Sequence, residues 1–546
     1  MKSKDALLYA RTIRNLRAVQ LLGRAKRVLP AGGIDRSPAP LRRPCETLAR
    51  PALREPVLVG PTRARMLGEE GPLLTPKDWD DPERPALWRY HANYFDDLRA
   101  GGASRRAKWN DDLIERWIDE NEPGRSVGWD PYPTSLRIVN WVRWGLAHGL
   151  SEAAIESLAV QARTLRANLE WHILGNHLLA NAKALVFAGT FFRGEEAEAW
   201  LRKGMSLVRR ELAEQVLADG GHFERSPMYH SLVLEDVLDL VALVRAAPKA
   251  FGAADEIEAW LGSVADRMGA WLAAMTHPDR DIALFNDAAF GQAPSPAALA
   301  EYARRLGRTV PEAPSERLTS LDSSGYVRVA YGPLLAILDV GEIGPKYLPG
   351  HAHADTLSFE VSLDGRRVIT NGGTSVYEEG DERLRQRGTA AHSTVEVDGE
   401  SSSEIWSSFR VARRAEPLDL RIEDDAAGLS VACSHDGYKR LGGKVIHRRT
   451  WRFGESSIDV EDALDGRFET AVARLHMHPD FDVSLGEQGA VVARERRTVI
   501  DVRVDGARLE SARGTWHPGF GRSLPNEHLL YRLDPAAPRA TCRVAW

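Results

Sequence analysis

Near residue 318 the hydrophobic pattern of this chain changes period, and that change limits the fold more than any other feature of its 546 residues. Before it, apolar side chains recur at helical spacing; after it, they alternate. Helices are predicted over 136–144, 151–169, 177–191, 195–217, 231–247 and 254–275. In the third of these, Leu178, Leu179, Ala182, Leu185, Val186 and Gly189 fall on one stripe. Thr134 or Ser135 is the expected cap of the first. No fixed-period repeat is present, so helices packed antiparallel in pairs are expected. Two Pro-rich pieces, 292–296 and 311–315, precede the change. Short alternating runs then follow at 326–332, 334–340, 368–370, 394–397, 444–451, 457–460, 471–477 and 490–493, with Gly or Asp turns between them. That pattern predicts a β-sandwich. Three parts result: 1–85, a basic helix and an irregular wrap; 86–318, helical; and 319–546, antiparallel β.

A net charge of -5 argues against a general nucleic-acid binder. An anionic polymer would need a locally basic cleft instead. Three cysteines, Cys45, Cys433 and Cys542, form neither a CxxC pair nor a disulfide framework. Basic residues from Arg11 to Arg27 interrupt the N-terminal segment, leaving no apolar core of signal-peptide length. No later stretch is long and apolar enough to span a bilayer. A cytoplasmic or periplasmic location is the expectation. The N-terminal segment itself reads as a basic amphipathic helix, packed on the body or lying on a membrane surface.

Five stretches carry candidate site chemistry. Residues 348–355 place His351, His353 and Asp355 at alternate positions after Pro349-Gly350, and residues 356–363 alternate up to the turn Asp364-Gly365. This predicts a strand with a hairpin exit. A strand starting at His351 would put the three groups on one face, roughly 6–7 Å apart. Gly175-Asn176-His177 opens a helix, where Asn176 is either an N-cap or, with His177, a carboxylate ligand aided by amide donors and the dipole. Residues 219–230 form a Gly-Gly turn and a polar loop holding His222, Glu224, Arg225, Tyr229 and His230. Asn371-Gly372-Gly373 and Ala391-His392-Ser393 complete the set. Trp88, Tyr90, Trp129, Tyr132 and Trp406 are candidates for stacking on sugar rings, with core packing as the alternative. Arg137, Arg225 and Arg387 are candidates for binding carboxylate or sulfate.

Together these stretches resemble the heparinase II/III-like family of polysaccharide lyases. The similarity runs over residues 88–98, 129–141, 171–189, 220–229, 283–287, 350–355, 371–373 and 391–394. It implies an incomplete (α/α) toroid followed by an antiparallel β-sandwich. It also implies cleavage of a uronate-containing polysaccharide, glycosaminoglycan-like or bacterial, by β-elimination. On that reading Asn176, with His177 beside it, neutralises the uronate carboxylate; Tyr229 serves as acid and, in syn elimination, as base too; and His351 serves either as base for the opposite C5 epimer or to stabilise the intermediate. The family's structural divalent metal, usually zinc, would fall to His353, Asn371 and His392, with no organic cofactor. Here the chain departs from the pattern: the family usually has Asp where this chain has Asn371, and a neutral amide is a poorer zinc ligand. The rival readings are a uronate C5-epimerase, which needs the same proton abstraction, and a non-catalytic glycan-binding protein of polysaccharide assembly or export. The identity of the uronan, endo or exo action, and the oligomeric state are not encoded legibly.

Overall fold

A computed structural model describes residues 3–28, 33–46, 48–49, 51–309, 311–425, 428–486, 489–494 and 497–546. Met1 and Lys2 of the basic N-terminal segment lie outside the described residues. Two helices, Ser3–Ile13 and Ala18–Val28, open the chain. The wrap expected after them contains a small antiparallel sheet of Leu58–Gly60, Arg63–Met66 and Glu69–Pro72. Its strands are too short and polar to show an alternating pattern in sequence.

The helical half is built from Ala107–Glu120, Pro131–His148, Glu152–Ala167, Gly175–Phe191, Glu195–Gln215, Pro227–Ala246 and Ala254–Ala274, with Pro296–Arg305 last. Gly175–Phe191 and Pro227–Ala246 are buried on nearly every side, as their near-continuous apolar sequences require. Glu195–Gln215 is amphipathic, with three glutamates in the first turn, where the helix dipole favours negative charge. Neither Thr134 nor Ser135 caps its helix. Helix Pro131–His148 starts earlier, at Pro131, and both hydroxyls donate to carbonyls, of Gly128 and Pro131 respectively. Proline at the first helical position, where no amide donor is needed, explains the earlier start.

From Leu318 onward the chain forms three large antiparallel sheets and a two-stranded ribbon of Ile405–Trp406 and Arg410–Val411. Five strands run from Leu318–Leu321 to Arg366–Ile369. A second sheet of four comprises Val395–Val397, Ala471–His476, Arg522–Arg532 and Leu509–Gly519. The third has eight, with Pro417–Asp425 and Asp482–Gly486 at its edges. Val329, Val395, Val431, Val460 and Leu529 represent the single apolar core that all three sheets share. Strand Ile446–Phe453 shows the period directly: His447, Arg449, Trp451 and Phe453 are buried, and Arg448 and Arg452 are exposed. Its buried polar members are paired. The Asp462 carboxylate accepts from His447 Nε2 at 2.7 Å, Nε and Nη2 of Arg449 at 2.8 and 2.9 Å, and the Tyr531 hydroxyl at 2.7 Å. His447 Nδ1 faces His435 Nε2 at 3.3 Å, and Gly437 N–H donates to His435 Nδ1.

The two halves are locked together. Trp271, Met275 and Phe285 pack against Tyr326 and Ile337 in a small shared core. Asp219 accepts from the amide and hydroxyl of Ser324, while His277 and Arg367 both reach Glu360. These buried contacts fix the relation of the helix ends to the strand loops.

Candidate active site

The strand expected from His351 begins only at Phe359. Residues 350–358 are a loop, with Leu357 at φ 64. His351, His353 and Asp355 therefore do not share a strand face. Their partners divide them: Glu224 for His351, Asp287 for His353, and the Asn286 amide for Asp355. A left-handed residue breaks the extended path that alternation alone would suggest.

Tyr229 is set by local rules. Arg225 turns the chain at φ 58, Ser226 caps the next helix by accepting from Tyr229 N–H, and Pro227 begins it. The phenol thus projects from the first turn. Its ring stacks on His351, with centroids 3.7 Å apart, and its hydroxyl meets that of Tyr377 at 3.0 Å. Burial, then Tyr377 and Asp287, hold the Tyr229 hydroxyl well above its ordinary pKa, so it is a neutral phenol at neutral pH.

His351 is oriented from the helical half. Its Nδ1 lies 2.5 Å from Glu224 Oε2. Burial pushes the Glu224 carboxyl up, but His351 outweighs it and the net shift is downward, leaving a carboxylate. In the neutral ring the Nδ1 proton is held by that carboxylate and the lone pair sits on Nε2. The other carboxylate oxygen, Oε1, is buried without a hydrogen-bond partner among the described residues.

Asn176 lies in the first turn of helix Gly175–Phe191, after Leu174 at φ 72 and Gly175 at φ 58. It is 6% exposed, and no partner for its amide is present among the described residues. A Cβ on Gly175 would meet Leu348 Cδ2 at 2.3 Å and Glu224 Oε1 at 3.4 Å. The helix start carrying Asn176 is therefore pressed against both the His351 loop and its carboxylate partner. His177 donates from Nδ1 to Glu170 at 2.9 Å and stacks on Tyr132 at 4.4 Å. Burial lowers its pKa, but Glu170 raises it more, and the net shift is upward. Glu170 is itself fixed by Asn181 Nδ2 at 2.9 Å.

Beneath this layer, Asn286 Nδ2 donates to Arg225 O and Asn286 Oδ1 accepts from His353 N–H. Asp287 N–H donates to His351 O at 2.9 Å. The Asp287 carboxylate accepts from both arms of Arg383, at 2.5 and 2.7 Å, and from His353 Nε2 at 2.8 Å. Burial opposes its charge, but Arg383 and His353 prevail and hold this carboxyl far below the usual range.

His353, Asn371 and His392 do meet, though not around one point. His353 Nδ1 faces His392 Nε2 at 3.3 Å, and Asn371 Oδ1 faces the opposite nitrogen, His392 Nδ1, at 3.2 Å. Two imidazole nitrogens so spaced could share an ion, but among the described residues their third partner is the neutral amide of Asn371. Among the described residues no group of three His, Cys, Asp or Glu side chains is placed to hold a metal. Asn371 Nδ2 is also buried and unpartnered. Turning the amide over would let Nδ2 donate to His392 Nδ1, giving one proton per contact from Asn371 to Asp287. These residues fit a neutral hydrogen-bonded chain better than a zinc site, which favours charged ligands.

Several expected substrate contacts lie elsewhere. Trp88 is 1% exposed and Trp129 is buried against Trp117, so both are core. Arg137 is buried between Gln161 and the Asn93 carbonyl. Arg387 is fully buried, its donors spent on the carbonyls of Ala352, Ser407 and Ser408. Burial, then Arg383, lowers its pKa to about 9. It braces the His351 loop instead of reaching a polymer. Trp406 is taken up by the N-terminal helix through Tyr9 and Thr12. Tyr90 and Tyr132 remain half-buried, Tyr90 donating to Asp130, and Arg225 bonds the Glu342 carbonyl. Sequence patterns assigned no role to Tyr377, Glu170 or Arg383, which lack a motif. Glu224 stood in the polar loop without a partner to give it meaning.

Comparison with known proteins now decides the family. The profile described as "Heparinase II/III-like, C-terminal" matches residues 313–546, and "Heparinase II/III N-terminus" matches residues 151–307. The chain belongs to the heparinase II/III-like family. Among curated proteins, this heparinase II/III-like chain is 26% identical over 462 residues to FtsZ-localized protein C of Caulobacter vibrioides, covering 79% of this chain and 75% of that protein. It is 26% identical over 265 residues to the heparin-sulfate lyase of Bacteroides stercoris, covering 42% and 38%. The crystal structure of heparinase III superposes with a TM-score of 0.66 at 18% identity, over 88% of this chain and 79% of that one. A helical domain followed by a β domain is thus the shared heparinase III fold.

Proposed function

We propose that the protein is a polysaccharide lyase that cleaves a uronate-containing polymer by β-elimination. One observation carries the reading: a neutral phenol, Tyr229, lies flat against an imidazole, His351, whose other edge is fixed by a carboxylate. The chemistry needs little more. Asn176 and the raised-pKa His177 neutralise the substrate carboxylate, acidifying the adjacent C5 proton. His351 Nε2 takes that proton, the C5–H electrons form the C4=C5 bond, and the C4–O4 bond breaks. Tyr229 gives its proton to the departing O4, with Tyr377 in reach to share the charge left behind. Tyr90 and Tyr132 supply the flat surfaces for neighbouring sugars. In architecture we extend the reading to an incomplete (α/α) toroid over 86–318, joined by residues 1–85 and followed by a β-sandwich over 319–546. That Bacteroides stercoris and Pedobacter heparinus relatives are named heparin-sulfate lyases supports an anionic glycosaminoglycan-like substrate.

The test is ultraviolet absorbance of the unsaturated uronate on a panel of heparan, chondroitin, hyaluronan, alginate and capsular uronans. At least one should yield the chromophore. None doing so, with the protein folded, would remove the lyase reading. Proton exchange at C5 without the chromophore would indicate an epimerase. A second reading, a non-catalytic glycan-binding protein, draws on the long match to a relative named for its localisation with FtsZ. Saturable uronan binding with neither chromophore nor exchange would favour it.

A further inference from the structure

The N-terminal pair of helices is amphipathic in the wrong sense for a helix packed on a protein body. In Ala18–Val28 the side facing the body is polar or bare. Gln20 is buried and donates to the carbonyls of Ile173 and Tyr347, both at 3.2 Å. Gly23 sits against the backbone of Trp171 and His172, and Arg27 donates to His172 Nε2. Positions 20, 23 and 27 share one helical face. The opposite side carries Leu21, Ala25 and Val28 at spacings of four and three, with Ala18 and Leu22 alongside. Leu21, Leu22 and Val28 are 43%, 70% and 86% exposed. Ser3–Ile13 repeats the arrangement: Tyr9, Arg11 and Thr12 hold Trp406, Glu404 and Arg410, while Leu7 and Ile13 face out at 55% and 48%.

Half of the exposed large apolar side chains among the described residues lie in these two helices. The charge around them is one-sided. Residues 1–28 hold eight Lys and Arg and one Asp, in a chain whose net charge is -5. Arg11, Arg17 and Arg27 are spent on partners within the protein. Arg24 and Lys26 flank the outward apolar stripe and are exposed. An outward Leu/Val stripe between basic side chains matches an anionic lipid surface, where the apolar residues enter the headgroup boundary and the cations meet lipid phosphates. A neutral or basic protein surface would not use that charge.

We infer that this N-terminal helix pair is a docking surface for an anionic bilayer. Its anchors explain what docking would do. Gln20 binds the carbonyls of Ile173 and Tyr347, just before the Leu174–Asn176 turn and the loop to His351. The arm therefore bridges both walls of the candidate site on its polar side and offers its apolar side to the membrane. The inference does not use the lyase reading, and its test needs no activity.

The experiment is co-sedimentation of the full chain with vesicles of phosphatidylglycerol and phosphatidylcholine, against phosphatidylcholine alone, with light scattering for oligomeric state. The wild type should pellet with the anionic vesicles only, and release as salt rises, because surface attraction is screened. Two variants at exposed positions separate the contributions: Leu21→Ser with Leu22→Ser, and Arg24→Glu with Lys26→Glu. Each pair should weaken partitioning by roughly tenfold or more, since each basic residue near such a surface contributes on the order of a fivefold factor. Failure of the wild type to pellet with anionic vesicles would overturn the inference. So would undiminished pelleting of both variants. A serine variant that pellets normally but changes oligomeric state would also overturn it, assigning the stripe to a second copy of the chain.

Discussion

Two carboxylates in this protein, Asp287 and Asp462, carry almost the same partners. Each accepts two hydrogen bonds from a buried arginine, Asp287 from Nη1 and Nη2 of Arg383 and Asp462 from Nε and Nη2 of Arg449. Each also accepts from the Nε2 of a buried histidine, His353 or His447, whose Nδ1 faces a second histidine at 3.3 Å, His392 or His435. Burial holds all four histidines below their ordinary pKa, His353 at about 4. The far end of one chain is the Gly437 amide and of the other the Asn371 side chain. The difference is where they sit. Arg449, Asp462, His447 and His435 come from neighbouring strands of one sheet. Asp287 comes from the segment after the helices, and its backbone also holds His351. Similar chemistry braces one sheet in one place and holds the His351 loop in the other. Position in the fold, and not residue type, separates them.

That contrast can be broken most directly at Tyr229. Tyr229→Phe removes a proton donor and is expected to lower the rate of unsaturated product by about 10²–10⁴-fold while uronan binding persists. Full activity in this variant would place the chemistry elsewhere. Next come the two carboxylates. Asp287→Asn and Asp462→Asn each leave a buried arginine unpaired and should cost about 3–5 kcal/mol in denaturant unfolding. Only Asp287→Asn should also reduce turnover per folded molecule. A comparable loss of turnover in Asp462→Asn would make the two chains equivalent.

Neither chain should set the pH profile, because its histidines stay neutral across the physiological range. His177 should, because Glu170 raises its pKa. Its interaction with Glu170 is therefore fully present below the unfolded histidine pKa, roughly 6.5, and is lost as pH rises through the higher folded value. Glu170→Gln should move the alkaline limb of kcat/KM to lower pH by about one unit. An unmoved limb would take His177 out of substrate binding. The smallest expected effect is on metal content. If the Asn371 chain is a hydrogen-bonded twin of the Gly437 chain, elemental analysis of protein purified without added metal should find only substoichiometric zinc. One zinc per chain would show that the two arrangements differ in kind.

The order of helices followed by strands was legible because burial imposes its period on long segments. Helix 195–217, for example, is observed as Glu195–Gln215. The loop from His351 to Ser358 was not, because alternation of polar and apolar residues is shared by strands and by loops whose side chains point to different partners. Trp88, Trp129 and Arg387 show the limit for binding residues. An aromatic or a guanidinium reads the same in sequence whether it meets a sugar or a backbone carbonyl. Asn176, Tyr229 and His351 were singled out through family resemblance, and the structure brings the last two into contact. Tyr377 and Arg383 needed coordinates, since their partners Tyr229 and Asp287 lie 148 and 96 positions away in the chain.

Gly175 bears on how closely the helical and strand halves approach at the candidate site. The missing side chain there leaves room for the tip of Leu348, so the helical and strand walls touch at a point beside the amide of Asn176. Replacing that hydrogen with a methyl group would act as a shim. It would pry the walls apart beside Asn176 while leaving Tyr229 and His351 intact, so the spacing of the two walls is set by an atom the chain does not have.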